Sequence, residues 1–212
     1  MKISGDKNVM PVKLGITGGI GSGKSFVCNY LKKKGLSVVS ADALARNAVL
    51  PGTPAYKRIV GFFGKEILLD DNTLNRSKLR DIITQDKIKK ETLEQIVHPE
   101  VFLQMDLEFK KSAKRHDPAI AVEVPLLFET GMAVCFDYVL TVTVDPDVRV
   151  ARVMARDQMT QKEAMSLIKI QMPEAEKVTQ SDFIIDNNGT LKETQIVIDR
   201  FYENFISKIK KD

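Results

Sequence analysis

The strongest constraint on this chain is the run Gly18-Gly19-Ile20-Gly21-Ser22-Gly23-Lys24-Ser25, which satisfies G-x-x-x-x-G-K-[ST] position for position. Its surroundings are what such a run needs. The apolar stretch before it, VKLGIT from Val12, suits a buried parallel strand. Residues 25–34 carry Phe26, Val27, Tyr30 and Leu31 at helical spacing, cations in the last turn, and Gly35 where a left-handed cap belongs. Strand, glycine turn and helix in that order gather backbone N–H groups around an anion, with the positive end of the helix dipole behind them. Lys24 then reaches the β- and γ-phosphates of a nucleotide, and Ser25 offers a hydroxyl to Mg²⁺. The run implies a nucleotide without choosing a reaction.

The rest of the chain alternates. Residues 36–40 (LSVVS) read as a second strand, and residues 42–49 as a helix stopped by Pro51-Gly52. Between residues 53 and 115 strand signals nearly vanish. Amphipathic helical patterns cover 54–63, 76–83, 86–97 and 99–114, punctuated by the Asp70-Asp71-Asn72 turn. Strands resume at 119–124 and 138–144, the latter closed by Asp145-Pro146, an N-cap followed by proline at the first helical position. Helices are expected at 148–157, 160–171 and 190–209, a last strand at 183–186, and a frayed basic tail at 208–211. The expected fold is α/β: a P-loop-type parallel β-sheet flanked by helices, with an inserted helical substrate-binding lobe and a helical lid. The expected division is a nucleotide-binding core of residues 1–52, 116–148 and 181–212, a lobe of 53–115 and a lid of 149–180.

Composition removes other classes. With 43% hydrophobic residues and a net charge of +4 over 212 residues, the chain is far from the disordered regime. The charge is too small and too dispersed to imply a nucleic-acid partner. No apolar stretch approaches the roughly 20 residues of a membrane span. Asp6, Lys7 and Lys13 interrupt any secretory signal, so a cytoplasmic protein is expected. Cys28 and Cys135 have no CxxC spacing and read as reduced core thiols.

Partner residues must supply the chemistry. A guanine-reading N-K-x-D motif is absent, and the Asp186-Asn187-Asn188-Gly189 match to D-x-x-G reads as a turn after the last strand. Asp145 is read as a helix N-cap in preference to a metal-binding acid, and Glu123, ending its strand, is the weaker candidate for Mg²⁺. Asp42 lies just past the second strand, where ligands gather in parallel sheets. From position alone it serves equally as a carboxylate for an acceptor hydroxyl or as a helix cap. Arg46, one turn on, is placed to pair with a substrate phosphate. Arg149, Arg152 and Arg156 stand at i, i+3 and i+7 on one helix face. Such runs usually face solvent, yet after a phosphate loop they suit closure over a transferring phosphoryl group.

In order and spacing these residues resemble the dephospho-coenzyme A kinase family, from Lys13 to about Asp199. The resemblance rests on LGITGGIGSGKS, Ser40-Ala41-Asp42 through Ala45-Arg46, Pro51-Gly52, Phe63-Gly64, Leu74-Asn75-Arg76 with Leu79, and His98-Pro99. It continues through PLLFE at 125–129, Arg152 with Arg156, Gln171, and 182–187 with Gly189. It implies transfer of the γ-phosphoryl group of ATP to the ribose 3′-hydroxyl of dephospho-CoA, with Mg²⁺ as cofactor. It implies Asp42 as the catalytic carboxylate, with Lys24 and Arg152 acting on the phosphoryl group. ATP is then held by Gly18, Gly19, Ile20, Gly21, Ser22, Gly23, Lys24, Ser25, Arg152, Arg156 and Asn187, and the metal by Ser25. Dephospho-CoA falls to Asp42, Arg46, Arg76, His98, Pro125 and Glu129, the lobe becomes a CoA-binding domain, and a monomer is favoured. Plainer readings remain beside these: His98 ending a helix, Arg76 at the surface, and Leu126, Leu127 and Phe128 in the core.

Three positions depart from the family pattern: Ser40 for the first Asp of D-A-D, Phe26 for the Thr that often follows the loop Ser, and Arg149 where Gln is usual. None is among the residues assigned to chemistry. Residues 1–9 precede the matching region, and Met10 is an alternative start. The rival functions are a nucleoside or nucleoside monophosphate kinase, which an acceptor screen separates, and a non-catalytic ATP-binding regulator, whose mark would be loss of Lys24 or Asp42.

Overall fold

The computed structural model describes residues 10–211. Five strands alternate with nine α-helices among the described residues: β1 (Val12–Thr17), α1 (Lys24–Lys33), β2 (Ser37–Ser40), α2 (Ala41–Ala48), α3 (Pro54–Phe63), α4 (Arg76–Gln85) and α5 (Lys87–Lys114). These are followed by β3 (Ala119–Glu123), β4 (Tyr138–Thr143), α6 (Pro146–Asp157), α7 (Gln161–Lys169), α8 (Glu174–Thr179), β5 (Phe183–Asp186) and α9 (Leu191–Ile209). The sheet order is β2-β3-β1-β4-β5. β1 pairs in parallel with both β3 and β4, and β4 with β5. The order reverses direction beside β1, which places a ligand crevice at that strand's C-terminal end.

The chain divides into two compact units, one formed by residues up to Val39 together with those from Phe109 onward, the other by Ser40–Glu108. In the first, one sheet face packs against α1 and α9. Leu14, Ile16, Leu140, Val142 and Ile185 meet Val27, Leu31, Ile198, Phe201 and Phe205, all buried. Thr194, Ile198, Phe201 and Phe205 recur at helical spacing along α9, so its apolar stripe is what holds it to the sheet. Across the other face Leu127 and Phe136 press on β1 so closely that any side chain at Gly15 would collide with them. The second unit has its own core of Val49, Ala55, Ile59, Phe63, Ile67, Leu74, Leu79 and Ile96. Thr53 caps α3 ahead of Pro54, and Asn75 caps α4 through a 3.0 Å bond from Lys78 N.

Several expectations are corrected. The patterns on either side of Pro99 form one 28-residue helix, α5, with the proline inside it. Loss of one N–H is outweighed there by a buried stripe that includes Ile96, Val101 and Met105. α8 and a Leu68–Leu74 antiparallel bridge were not anticipated. Asp145 occupies the cap position of α6, but its side chain makes no capping bond and instead accepts from Asn188 Nδ2 at 3.1 Å. Lys208 is not part of a frayed tail: it lies within α9, with Nζ 5.3 Å from the Tyr138 ring centroid. Cys28 is buried, whereas Cys135 is only half-buried. Leu127 is in the core as expected, but Leu126 is exposed. No helix among the described residues is long and apolar enough to cross a membrane.

Candidate active site

The loop between β1 and α1 has Gly21 at φ 77° and Gly23 at φ 87°, left-handed conformations that only glycine adopts cheaply. At Gly23 a Cβ would also run into the Asn187 amide. Lys24 folds back along the loop, and its ammonium donates to Gly18 O at 2.7 Å and Gly19 O at 3.0 Å. The N–H of Ile20 donates to Gln171 Oε1 at 2.7 Å, so a neutral oxygen takes one amide of the anion nest. Ser25 Oγ donates to Glu123 Oε1 at 3.1 Å. A hydroxyl backed by a carboxylate at the loop's exit is a hard oxygen donor pair of the kind Mg²⁺ takes.

Asn187 locks this loop to the sheet. It is 5% exposed, its Nδ2 donates to Ser22 O at 2.7 Å, and its Oδ1 accepts from Thr194 Oγ1 at 3.0 Å. Its carbonyl accepts from Arg152 Nη2 at 3.0 Å. Beside it a recess of about 420 Å³ is lined by Gly23, Phe26, Arg152, Thr190 and Leu191. Of the three arginines of α6, Arg149 and Arg152 turn to the loop. Arg156 is exposed and pairs with its neighbour Asp157 at 2.6 Å. Arg149 is 8% exposed, lies against Gly19 and is ion-paired with Glu174 of α8; burial pulls its guanidinium below the usual pKa. Arg149 Nε and Arg152 Nη1 are buried without a hydrogen-bond partner.

Glu129, which the resemblance implies as a dephospho-CoA contact, is an exposed residue whose carboxylate turns onto the protein. Its Oε1 accepts from the fully buried Lys177 Nζ at 2.7 Å and from Met172 N at 3.0 Å. Burial works against its charge, but these bonds outweigh that and hold its carboxyl below the ordinary glutamate value. Pro125 opens the same turn, where its carbonyl faces Thr17 Oγ1 at 3.4 Å.

In the second unit, Asp42 lies exposed in the first turn of α2, with no hydrogen-bond or ion-pair partner among the described residues. The cap is Ser40, through a long 3.5 Å contact to Ala43 N, so the alternative role of Asp42 as N-cap falls away. Arg46 and Arg76 line one cavity of about 320 Å³, with Arg80 beside them and Val49, Ile59, Leu74 and Leu79 among its apolar walls. His98 is half-buried in the interior of α5 and ends no helix. Sequence reasoning passed over Arg80, Glu174 and Lys177. Arg80 had a signal, standing four residues after Arg76 on the same helix.

A parallel sheet with a phosphate loop after its central strand, and arginines set over that loop, defines a P-loop kinase. The dephospho-CoA kinase family profile matches residues 12–193. The chain belongs to the dephospho-CoA kinase family and is an ATP-dependent kinase. It is 40% identical to the dephospho-CoA kinase of Listeria innocua over 92% of this chain and 97% of that one. It is 42% identical to that of Shouchella clausii over 86% and 93% respectively. Among solved structures, a Thermus thermophilus protein matches with a TM-score of 0.78 at 32% identity, over 94% of this chain and 98% of that one. The Campylobacter jejuni dephospho-CoA kinase matches in fold, with a TM-score of 0.71 at 23% identity over 92% and 98%.

Proposed function

We propose that the protein transfers the γ-phosphoryl group of ATP to the ribose 3′-hydroxyl of dephospho-CoA, giving coenzyme A. The observation that carries this is the loop from Gly18 to Ser25, with Lys24 folded along it and Arg152 beside it, in a chain whose curated relatives are named dephospho-CoA kinases. The backbone N–H groups of Gly21, Ser22, Gly23 and Lys24 cradle the phosphates, Lys24 neutralises the β- and γ-oxygens, and Arg152 adds charge where the phosphoryl group is in flight. Displacement is in line, and positioning dominates. The recess beside Phe26 and Leu191 receives the adenine. Ser25, with Glu123 behind it, would hold Mg²⁺, whose charge would offset that of the phosphates when bound.

Asp42 orients the acceptor hydroxyl and takes its proton; its exposed and uncommitted carboxylate, together with its place in the D-A-D-like motif, supports this role. Arg46 and Arg76, joined by Arg80, suit the anionic groups of dephospho-CoA, and the apolar walls of their cavity suit its pantetheine arm. Residues 53–115 then act as the CoA-binding lobe and 149–180 as the lid, in a cytoplasmic protein. Arg156 reaches nucleotide only by leaving Asp157, and His98, Pro125 and Glu129 act from the body of the protein. The deciding experiment is Mg²⁺-dependent conversion of dephospho-CoA to CoA followed by mass spectrometry, with adenosine, AMP and CMP as parallel acceptors. Phosphorylation of dephospho-CoA alone is expected, and product from another acceptor in its place would overturn the assignment.

A further inference from the structure

The guanidinium of Arg149 is a buried cation at the loop whose partner is a carboxylate, Glu174. A methyl group at Gly19 would come within 3.1 Å of Arg149 Cζ and Nη1, so the guanidinium lies directly against that residue. The Lys24 ammonium bonds the carbonyl of the same Gly19 at 3.0 Å. Two cations thus flank one peptide at the end of the loop where a P-loop lysine meets the β- and γ-phosphates. Glu174 balances Arg149, yet Arg149 Nε is left buried without a hydrogen-bond partner. A donor 92% buried with its residue and unpaired is costly unless an acceptor arrives. The neighbouring Arg152 Nη1 is orphaned in the same way, and so is Glu174 Oε2, so the ion pair leaves both of its members short of hydrogen bonds.

We infer that Arg149 reads the terminal phosphate of a nucleoside triphosphate, and that Glu174 is the stand-in anion which this phosphate displaces. The inference rests on the loop being the ATP site. A diphosphate ends short of the Gly19 end and leaves the Arg149–Glu174 pair intact, so the pair favours ATP over ADP and helps the product nucleotide leave. The energetics are those of exchange: a guanidinium moves from one anion to another without passing through an unpaired state, so only the difference between the partners is felt. Displacement of Glu174 also frees the first turn of α8, which ties phosphate occupancy to the position of the segment that begins at Gln171 and bonds Ile20 N.

The test measures affinities for MgATP and MgADP by calorimetry on the full chain, with kcat and KM for ATP at saturating dephospho-CoA. Arg149→Gln is expected to weaken ATP roughly tenfold while moving ADP by less than about twofold. Glu174→Gln, which leaves Arg149 charged and unpaired, is expected to tighten ATP several-fold and leave ADP unchanged. Equal changes for the two nucleotides in Arg149→Gln, or ATP binding unchanged or weakened in Glu174→Gln, would overturn the inference and leave the pair as a purely structural tie of α8. Failure of the unmodified protein to bind either nucleotide would instead remove the ATP site itself. Because Glu174→Gln predicts a gain, a general loss of folding cannot imitate the expected result.

Discussion

The two units hold their functional groups in opposite ways. Around the glycine loop many side chains are tied to one another, Asn187 to Ser22, Thr194 and Arg152, Gln171 to Ile20, and Glu129 to Lys177 and Met172, while Arg149 Nε and Arg152 Nη1 are held buried and unpaired. In the helical unit, Arg46, Arg76 and Arg80 stand exposed at the edge of a cavity whose walls are apolar. A rigid cage suits a triphosphate, whose geometry never varies and whose transition state rewards donors already in place. Long, solvated side chains on helices suit a flexible ligand that brings its own anions and must be followed as it settles. The largest expected consequence is at Asp42. Asp42→Asn should lower kcat by about 10² to 10⁴, the range of a general base, while ATP affinity stays unchanged. Retained turnover would assign that exposed carboxylate to nothing more than helix polarity.

The tied unit should respond to acid through a carboxylate paired with a buried cation. Glu129 is the clearest case, because its carboxyl lies below the ordinary value of 4.5 in the folded protein. A depressed carboxylate contributes stability that is present above the unfolded pKa and lost as pH falls through the folded one. Glu129→Gln leaves the buried Lys177 ammonium facing a neutral amide, and solvent screening of the exposed Glu129 brings the cost below the about 3 to 5 kcal/mol of a fully buried pair, to about 1 to 3 kcal/mol. The low end is expected, since 18% of the Glu129 side chain remains in water. The gap in thermal midpoint between the two proteins should hold from pH 7 to 5 and close below about 4.5. A gap that persisted at pH 3 would show that the cost is one of packing. Glu129→Gln combined with Lys177→Met should recover much of the loss.

On the other side, Arg80→Gln removes one charged donor from the cavity. The KM for dephospho-CoA should rise roughly tenfold to a hundredfold, with the KM for ATP untouched. If both constants rose together, the division of labour between the units would fail.

These contrasts also explain what could be read from the chain in advance. The phosphate loop was legible because its geometry is demanded of the backbone, and only glycine meets that demand at Gly21 and Gly23. The strands and most helices followed from periodicity alone. Pro99 marks a boundary in the sequence but not in the fold, because the buried stripe that carries α5 through it is set by tertiary packing. The bond between Ser25 and Glu123 was not legible, because a lone acid at a strand end has no spacing to mark it and only the fold brings the two together. The Glu129–Lys177 pair spans 48 residues and left no trace in the sequence. Arg80, by contrast, stands at i+4 from Arg76, so its place beside that residue is legible from helical spacing.

The smallest effect we expect is the most discriminating. Asn187 resembles a nucleotide-binding residue by its place in the chain, yet its side-chain amide is consumed by Ser22 O and Thr194 Oγ1. Asn187→Ala should therefore leave a buried carbonyl and a buried hydroxyl unpaired and cost about 1 to 3 kcal/mol, seen as a lowered thermal midpoint. Because Gly23 packs against that amide, the loop should also loosen, and the amides of residues 21–24 should exchange faster with solvent. ATP binding should weaken only by the fraction of loops displaced, and addition of MgATP should restore most of the lost midpoint. A direct contact to the base would behave differently: affinity would fall with no change in the midpoint of the unliganded protein. The two outcomes separate a residue that touches the nucleotide from one that holds the cage in which the nucleotide sits.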